Sequence, residues 1–341
     1  MRRILVVLPN WYGETLFATP FLRAIRLQYP DAYLATLGWP QCREILLNNP
    51  RVSALIDYDE RTTHKDLWSK WRLIAQLRSF RFDTAFVLRK SLSRTLLLAA
   101  AQIPMRVGFA NSKSGWLLTH KAPVCSGPIH KAASYFSLLE VAGLTLLKGP
   151  YEYWIEQEER CFVGGWLRQQ GLLDGHRLVV LHPAANWAHK RWPPERFAQL
   201  ADHLAQTRQV CIAITGGADD RPLAEALARQ MKHPAWVLAG RTQLRQLAAI
   251  LERACLVVAN DTGVLHLAAA LNRPVVALYG PTSPVLTGPL GDPRRTIVLH
   301  HSDSCPRIPC YGSNHPGYPG MDAISVDEAY AAAVQLMESM G

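Results

Sequence analysis

Residues 2–26, "RRILVVLPNWYGETLFATPFLRAIR", hold one structural unit and one chemical question. Ile4 to Leu8 form a short, branched, uninterrupted apolar run, the pattern of a fully buried strand, and Pro9-Asn10 ends it. Phe17, Phe21, Ala24 and Ile25 then recur at helical spacing. A strand that feeds a helix through a short loop is the building block of an open α/β sheet. Such sheets bind ligands outside the carboxyl ends of their strands. Glu14, next to Gly13, falls at that place and near a helix start. Two readings of it stay open: a carboxylate that complements the positive end of the helix dipole, or one that does chemistry.

The unit recurs along the chain. "HRLVVLHPAANWAHKRWPPERFAQLADHL" (176–204) is again a buried strand, a proline-containing loop and an amphipathic helix. In the first half "DAYLATLGW", "VSALIDYD" and "FDTAFVL" read as strands, with "PQCREILLNN" and "KDLWSKWRLIAQLRSF" as the helices between them. In the second half "VCIAITGG", "AWVLAG", "CLVVAND" and "PVVALYG" alternate with helical segments in the same way. Alternation of this kind predicts parallel sheets with helices on both faces, α/β in class. The polar segment "LLKGPYEYWIEQEER" (146–160) separates the halves and reads as a linker. Two doubly wound domains facing across a cleft would place ligands in that cleft. The final helix carries Ser325 and, three residues on, Glu328, the capping-box spacing.

Composition narrows the class. The 341 residues suit two domains, and with about half of them apolar and no low-complexity tract the chain should be globular. No segment approaches the roughly 20 apolar residues of a membrane span, and the apolar run at the N-terminus is too brief for a signal peptide. Seven scattered cysteines point to a reducing cytoplasm. The formal charge of +10 suits nucleic acid, a membrane surface or a phosphorylated substrate. No arginine-rich arm or aromatic-plus-basic module appears, so nucleic acid has the least support.

The richest stretch is "VVANDTGVLHLAAALNRPVVALYGPTSP" (257–284). A buried strand ends at Asn260-Asp261, Thr262-Gly263 form a turn, and a helix begins whose free N–H groups make an anion site. Gly263 admits a ligand close to the backbone. His266 lies one turn into the helix, on a face that can look back to the loop. The plainer reading is a capped helix, with Asp261 or Thr262 as the N-cap and His266 as a half-buried filler. Lys190 and Arg191 occupy another strand-end loop, ahead of a helix opened by Pro193-Pro194. A cation there neutralises a diphosphate, or is simply solvated. "TGGADD" (215–220) is a third such loop, where Asp219 or Asp220 could accept from ribose hydroxyls or compensate a helix N-terminus.

Together, "NWYGE", "PFLRAIRLQYP", "IPMRVGF", "KRWPPERFAQLA", "LAGRTQLRQLAAILERA", "NDTGVLHLAAALNRPVVALYGPTSP" and a partly matching "PCYG" tail resemble the ADP-heptose:lipopolysaccharide heptosyltransferases, glycosyltransferase family 9. The resemblance runs the length of the chain and is strongest to the heptosyltransferase II branch. It implies a GT-B fold of two Rossmann-like domains. Residues 1–155 would bind the acceptor and 156–324 the ADP-sugar donor, with the C-terminal helix, 325–341, returning to the first domain. It implies an inverting, metal-independent transfer of heptose to the inner core of lipopolysaccharide, with no cofactor.

The family usually has Asp after the first-loop glycine, as catalytic base; here that position is Glu14, longer by one methylene. The resemblance implies that Lys190 holds the donor diphosphate. Asp261, Thr262, Gly263 and His266 would contact the diphosphate and sugar, Thr242 the adenine and Asp220 the ribose, with Gly13 also on the donor side. The acceptor's anionic groups would meet Arg61, Lys65, Arg89, Lys90 and Arg94 in "DERTTHKD" (59–66) and "LRKSLSRT" (88–95). The family tail often has three cysteines; here Cys305 and Cys310 stand near His300, His301 and His315, which makes zinc a candidate, but four ligands at fixed spacing cannot be named. "DYD" (57–59) fits the metal-holding D-x-D pattern of some sugar transferases and equally the polar end of a strand. The implied setting is the cytoplasm, with the acceptor at the inner face of the inner membrane. Two rival readings are a GT-B enzyme with another nucleotide sugar, and a non-catalytic nucleotide or anionic-glycan binder.

Overall fold

Six short apolar runs of the first half pair into one sheet in the computed structural model: β1 (Arg3–Val7), β2 (Tyr33–Gly38), β3 (Ala54–Asp57), β4 (Thr84–Val87), β5 (Met105–Phe109) and β6 (His120–Ala122). Their order is β3-β2-β1-β4-β5-β6, and every pairing is parallel. Six more form a second parallel sheet: β7 (Arg177–His182), β8 (Val210–Ile214), β9 (Ala235–Val237), β10 (Ala254–Asn260), β11 (Val275–Tyr279) and β12 (Thr296–His300). They lie in the order β12-β11-β10-β7-β8-β9, the same winding scheme. The structure describes residues 1–124, 127–147, 149–172, 175–301, 308–310 and 320–339. The chain divides into two compact units, Met1–Trp154 and Ile155–Gly341. This is the doubly wound α/β architecture, with each central strand buried on both faces: Leu5, Val6 and Val7 in β1, and Val179, Val180 and Leu181 in β7, are wholly covered.

The helix expected after β1 is broken in two, Tyr12–Phe17 and Thr19–Gln28. Pro20 has no N–H to offer the carbonyl of Leu16, and the hydroxyl of Thr19 bonds that carbonyl instead, at 2.7 Å. The break leaves Glu14 in the first turn of a six-residue helix.

The C-terminal helix, Val326–Glu338, was expected to return to the first domain, but it packs into the core of the second unit. Ala329, Ala332, Ala333, Leu336 and Met337 lie among Val179, Phe197, Leu200 and Val276. Their small and aliphatic stripe matches the helix Pro194–Arg208, and the Thr207 and Tyr330 hydroxyls bond at 2.9 Å across that contact. Ser325 caps the helix by accepting from the Glu328 N–H, but the Glu328 carboxylate bonds His301 at 2.9 Å.

Candidate active site

In a doubly wound sheet the ligand crevice opens where the strand order reverses. In the first unit this point lies between β1 and β4. The segments that follow these strands supply Trp11, Glu14, Arg89 and Lys90 to one cavity of about 490 Å³, which Lys131 and Tyr135 also line. Lys131 begins the helix Lys131–Val141 and donates to Glu14 Oε1 at 2.8 Å. Among the described residues only Lys131 hydrogen-bonds this carboxylate, which leaves Oε2 available to a ligand. Glu14 thus faces the cavity with Lys131 on one carboxylate oxygen. The Tyr135 phenol beside it is pushed above its ordinary pKa by burial and by the Glu14 charge, so it stays protonated and can donate.

The five basic residues assigned to the acceptor separate in the structure. Arg89 and Lys90 line the cavity with Glu14. Arg61 and Lys65 lie in the exposed loop after β3, two strands from β1, where the Arg61 guanidinium sits 4.5 Å from the centre of the Trp39 ring. Arg94 is only 1% exposed and cannot be a surface anion contact. The helix Leu92–Ala100 turns its Arg94, Thr95, Leu97 and Leu98 face inward, and the guanidinium donates to the Leu8 carbonyl and to Asn10 Oδ1. It thus braces the loop that leads to Glu14. Asp57 pairs with Arg43 at 3.5 Å, and Asp59 accepts from the Arg61 and Thr62 N–H groups, so the D-x-D carboxylates serve the ends of their own strand and loop.

In the second unit the strand order reverses between β7 and β10. Lys190 follows β7 and Asp261 follows β10, and their side chains form a charged hydrogen bond. Asp261 also accepts from Thr282 Oγ1 at 2.7 Å, and His266 Nε2 stands 3.8 Å from its other oxygen. Burial alone would raise the Asp261 pKa; the Lys190 charge, His266 and the Thr282 hydroxyl outweigh it and hold the carboxyl below its ordinary value. Lys190 Nζ also reaches the Asp261 carbonyl, at 3.3 Å. Two of its three N–H donors thus go to Asp261, and Nζ also lies 5.5 Å from the centre of the Trp187 ring.

Thr262 occupies the N-cap position of the helix Gly263–Ala270, yet its side chain makes no capping bond. Among the described residues nothing bonds its buried hydroxyl. Neither version of the capped-helix reading therefore holds, since Asp261 is spent on Lys190 and Thr282. Asp220 accepts from the Gly217 N–H at 2.9 Å, and Thr242 is half-buried just before the helix Leu244–Arg253. The loops of Asp220 and Thr242 touch: Gly240, at φ +71°, donates to the Gly216 carbonyl at 3.1 Å, and a Cβ there would meet Ala218 Cα at 3.0 Å. His182, at the end of β7, is pushed down to about 4 by burial, against the opposing charge of Asp220, so it is neutral near pH 7.

Three residues of these sites, Thr282, Lys131 and Tyr135, are not singled out by the sequence. Thr282 stood in the quoted "YGPTSP" without a role. Lys131 had one signal, a cation at a helix start where the dipole disfavours it, which implies that something else holds it. In the tail, Cys305 and His315 lie outside the described residues. His300 bonds the Gly280 carbonyl at 3.1 Å, and the Cys310 N–H bonds the Pro281 carbonyl at 2.7 Å. Among the described residues no group of three His, Cys, Asp or Glu could hold a metal ion.

Residues 70–311 match the model of glycosyltransferase family 9 (heptosyltransferase). The chain is 31% identical to lipopolysaccharide heptosyltransferase 2 of Escherichia coli, over 87% of this chain and 88% of that one. It is 32% identical to the protein of the same name from Salmonella typhimurium, with the same coverage. The crystal structure of a family 9 glycosyltransferase from Veillonella parvula superposes at a TM-score of 0.88 with 25% identity, covering 99% of this chain and 97% of that one. The structure of Escherichia coli ADP-heptose lipopolysaccharide heptosyltransferase II shares the fold at a TM-score of 0.81 with 24% identity, over 100% and 99% of the two chains. With the family model spanning most of its length and these relatives nearly all of it, the chain belongs to glycosyltransferase family 9, the heptosyltransferases, and has their GT-B fold.

Proposed function

We propose that this glycosyltransferase moves a heptose from ADP-heptose to the inner core of lipopolysaccharide, inverting the anomeric centre. The observation that carries this reading is the order of side chains along the carboxyl edge of the second sheet. Thr242, Asp220, Lys190 and Asp261 follow β9, β8, β7 and β10, which are consecutive neighbours. Three strand spacings cover about 14 Å. Adenine, ribose and diphosphate laid along that edge would meet Thr242, Asp220 and the Lys190–Asp261 pair in turn.

The diphosphate takes the third N–H of Lys190 and the backbone N–H groups at Thr262 and Gly263. The unsatisfied Thr262 hydroxyl supports a polar ligand at this place. His266, packed behind Asp261, keeps the carboxylate aimed at Lys190.

In the first unit Glu14 Oε2 removes the proton of the acceptor hydroxyl as its oxygen bonds the anomeric carbon. The bond from that carbon to the diphosphate breaks, and ADP leaves with the negative charge that Lys190 and the helix N-terminus receive. Gly13 lets the donor sugar approach the loop closely. Arg89 and Lys90 bind anionic groups near the reacting hydroxyl, and Arg61 and Lys65 meet others farther along the same acceptor. The test is to supply ADP-heptose with defined truncated lipopolysaccharide acceptors and read product mass. A gain of one heptose supports the reading. Transfer from a different nucleotide sugar alone, or ADP binding with no transfer to any acceptor, overturns it.

A further inference from the structure

The helix Leu67–Ser79 is apolar at both ends, and only its second half is buried. Leu73, Ile74 and Leu77 are buried against the first sheet's core. At the other end, Leu67, Trp68 and Trp71 are 75%, 78% and 58% exposed and line a shallow hollow of their own. Residues 67, 68 and 71 share one side of the first turn, so this is a single patch. Two tryptophans held in water on one helical turn mark a contact surface, since lone exposed apolar residues are common but clustered aromatics are not.

The charges around the patch indicate the kind of contact. Asp66 accepts from the Ser69 N–H and hydroxyl, Asp59 from the N–H groups of Arg61 and Thr62, and Glu60 from Ser93 at 3.0 Å. Asp59 and Asp66 are hydrogen-bonded within their own loop, and Glu60 to the helix Leu92–Ala100. Among the described residues the side chains of Lys70 and Arg72 have no hydrogen-bond or ion-pair partner, and they border the aromatic turn. Tryptophan beside unspent cations is the composition of a surface that lies in the headgroup region of an anionic membrane. No helix of the described residues is long and apolar enough to cross a membrane, so such a contact would be peripheral.

We propose that the first turn of this helix docks the protein on an anionic bilayer. Leu67, Trp68 and Trp71 enter the interfacial zone while Lys70 and Arg72 meet lipid phosphates. This extends the functional reading above, in which the acceptor is carried on a membrane, but its test is independent of transfer.

The full-length protein is floated with vesicles of phosphatidylethanolamine and phosphatidylglycerol, and separately with vesicles of phosphatidylcholine alone. Wild type should partition to the anionic vesicles and be released by salt. Trp68→Ser/Trp71→Ser should weaken that binding by about tenfold or more, and Lys70→Gln/Arg72→Gln should reduce its salt dependence. Because these side chains are exposed, both variants should keep the wild-type melting temperature and the wild-type rate on a water-soluble truncated acceptor. Equal vesicle binding by wild type and the tryptophan variant would overturn the proposal. So would a wild-type dimer that the tryptophan variant turns into a monomer, because the patch would then be covered by a second copy. Tryptophan-dependent vesicle binding in a protein that transfers no heptose would support the docking surface and count against the proposed reaction instead.

Discussion

Replacing Lys190 with methionine removes the counter-charge of a buried carboxylate. The Lys190 and Asp261 side chains are 18% and 7% exposed. Thr282 remains to donate one hydrogen bond, and His266 helps only when protonated. Breaking a buried pair by removing one partner costs about 3–5 kcal/mol. For a unit of this size that lowers the melting temperature by about 6–20 °C. The sign of the pH dependence is the sharper part. In wild type the Asp261 pKa is depressed, so the site adds stability above the unfolded carboxylate value of about 3.9 and loses it as pH falls through the folded value. In Lys190→Met only burial and weaker partners act, so the folded pKa rises above the unfolded one. The site then loses stability as pH rises from about 4. The two proteins should therefore be closest in stability at the acid end, below the folded Asp261 value of wild type, and diverge as pH rises toward 7, as read by urea unfolding of the second unit at stepped pH. Donor affinity should fall tenfold or more, because a charge-assisted bond worth about 1.5–3 kcal/mol is lost. A stability difference under about 1 kcal/mol, or one independent of pH, would refute the picture of a buried carboxylate balanced by Lys190.

Arg94→Met should destabilise the first unit by about 3 kcal/mol or more, because the Leu8 carbonyl and Asn10 amide oxygen lose a buried donor. A melting temperature within 2 °C of wild type, to take about 2 °C as the limit, would return Arg94 to the surface. Transfer should continue in EDTA, since Lys190 and the Gly263–Ala270 helix N-terminus are assigned the leaving-group charge. Activity lost to chelation and restored by magnesium or manganese would move that role to a metal.

The sheets were legible because parallel strands buried on both faces must be short apolar runs, and β1, β7 and β10 are such runs. Lys190 and Asp261 were legible for a related reason: both follow a recognisable strand, so their loops had to fall on one edge. Lys131 follows β6, a three-residue strand too short to be read as an apolar run, and 117 positions separate it from Glu14, so the contact exists only once the helix Lys131–Val141 is packed. Arg94 was misread because a cation looks alike on either side of a helix until the helix phase is known. The alanine stripe of Val326–Glu338 announced a buried face without naming the unit that covers it. The break at Ala18 was written in Pro20, but the helical spacing of Phe17, Phe21 and Ala24 runs straight through it.

The central claim is that the Glu14 carboxylate, held on one oxygen by Lys131, takes the acceptor's proton. It is tested most directly by single-turnover transfer from ADP-heptose by wild type, Glu14→Gln and Glu14→Asp, with ADP affinity measured alongside. Glutamine keeps the size and shape of the side chain and removes its basicity, so turnover should fall by roughly 10²–10⁴ while ADP binds as before. Aspartate, one methylene shorter, should retain part of the activity if the carboxylate itself matters most. Its failure would show that the loop is spaced for the longer side chain and its contact with Lys131. Transfer by Glu14→Gln at the wild-type rate would contradict the claim and leave Glu14 as no more than a partner for the helix dipole.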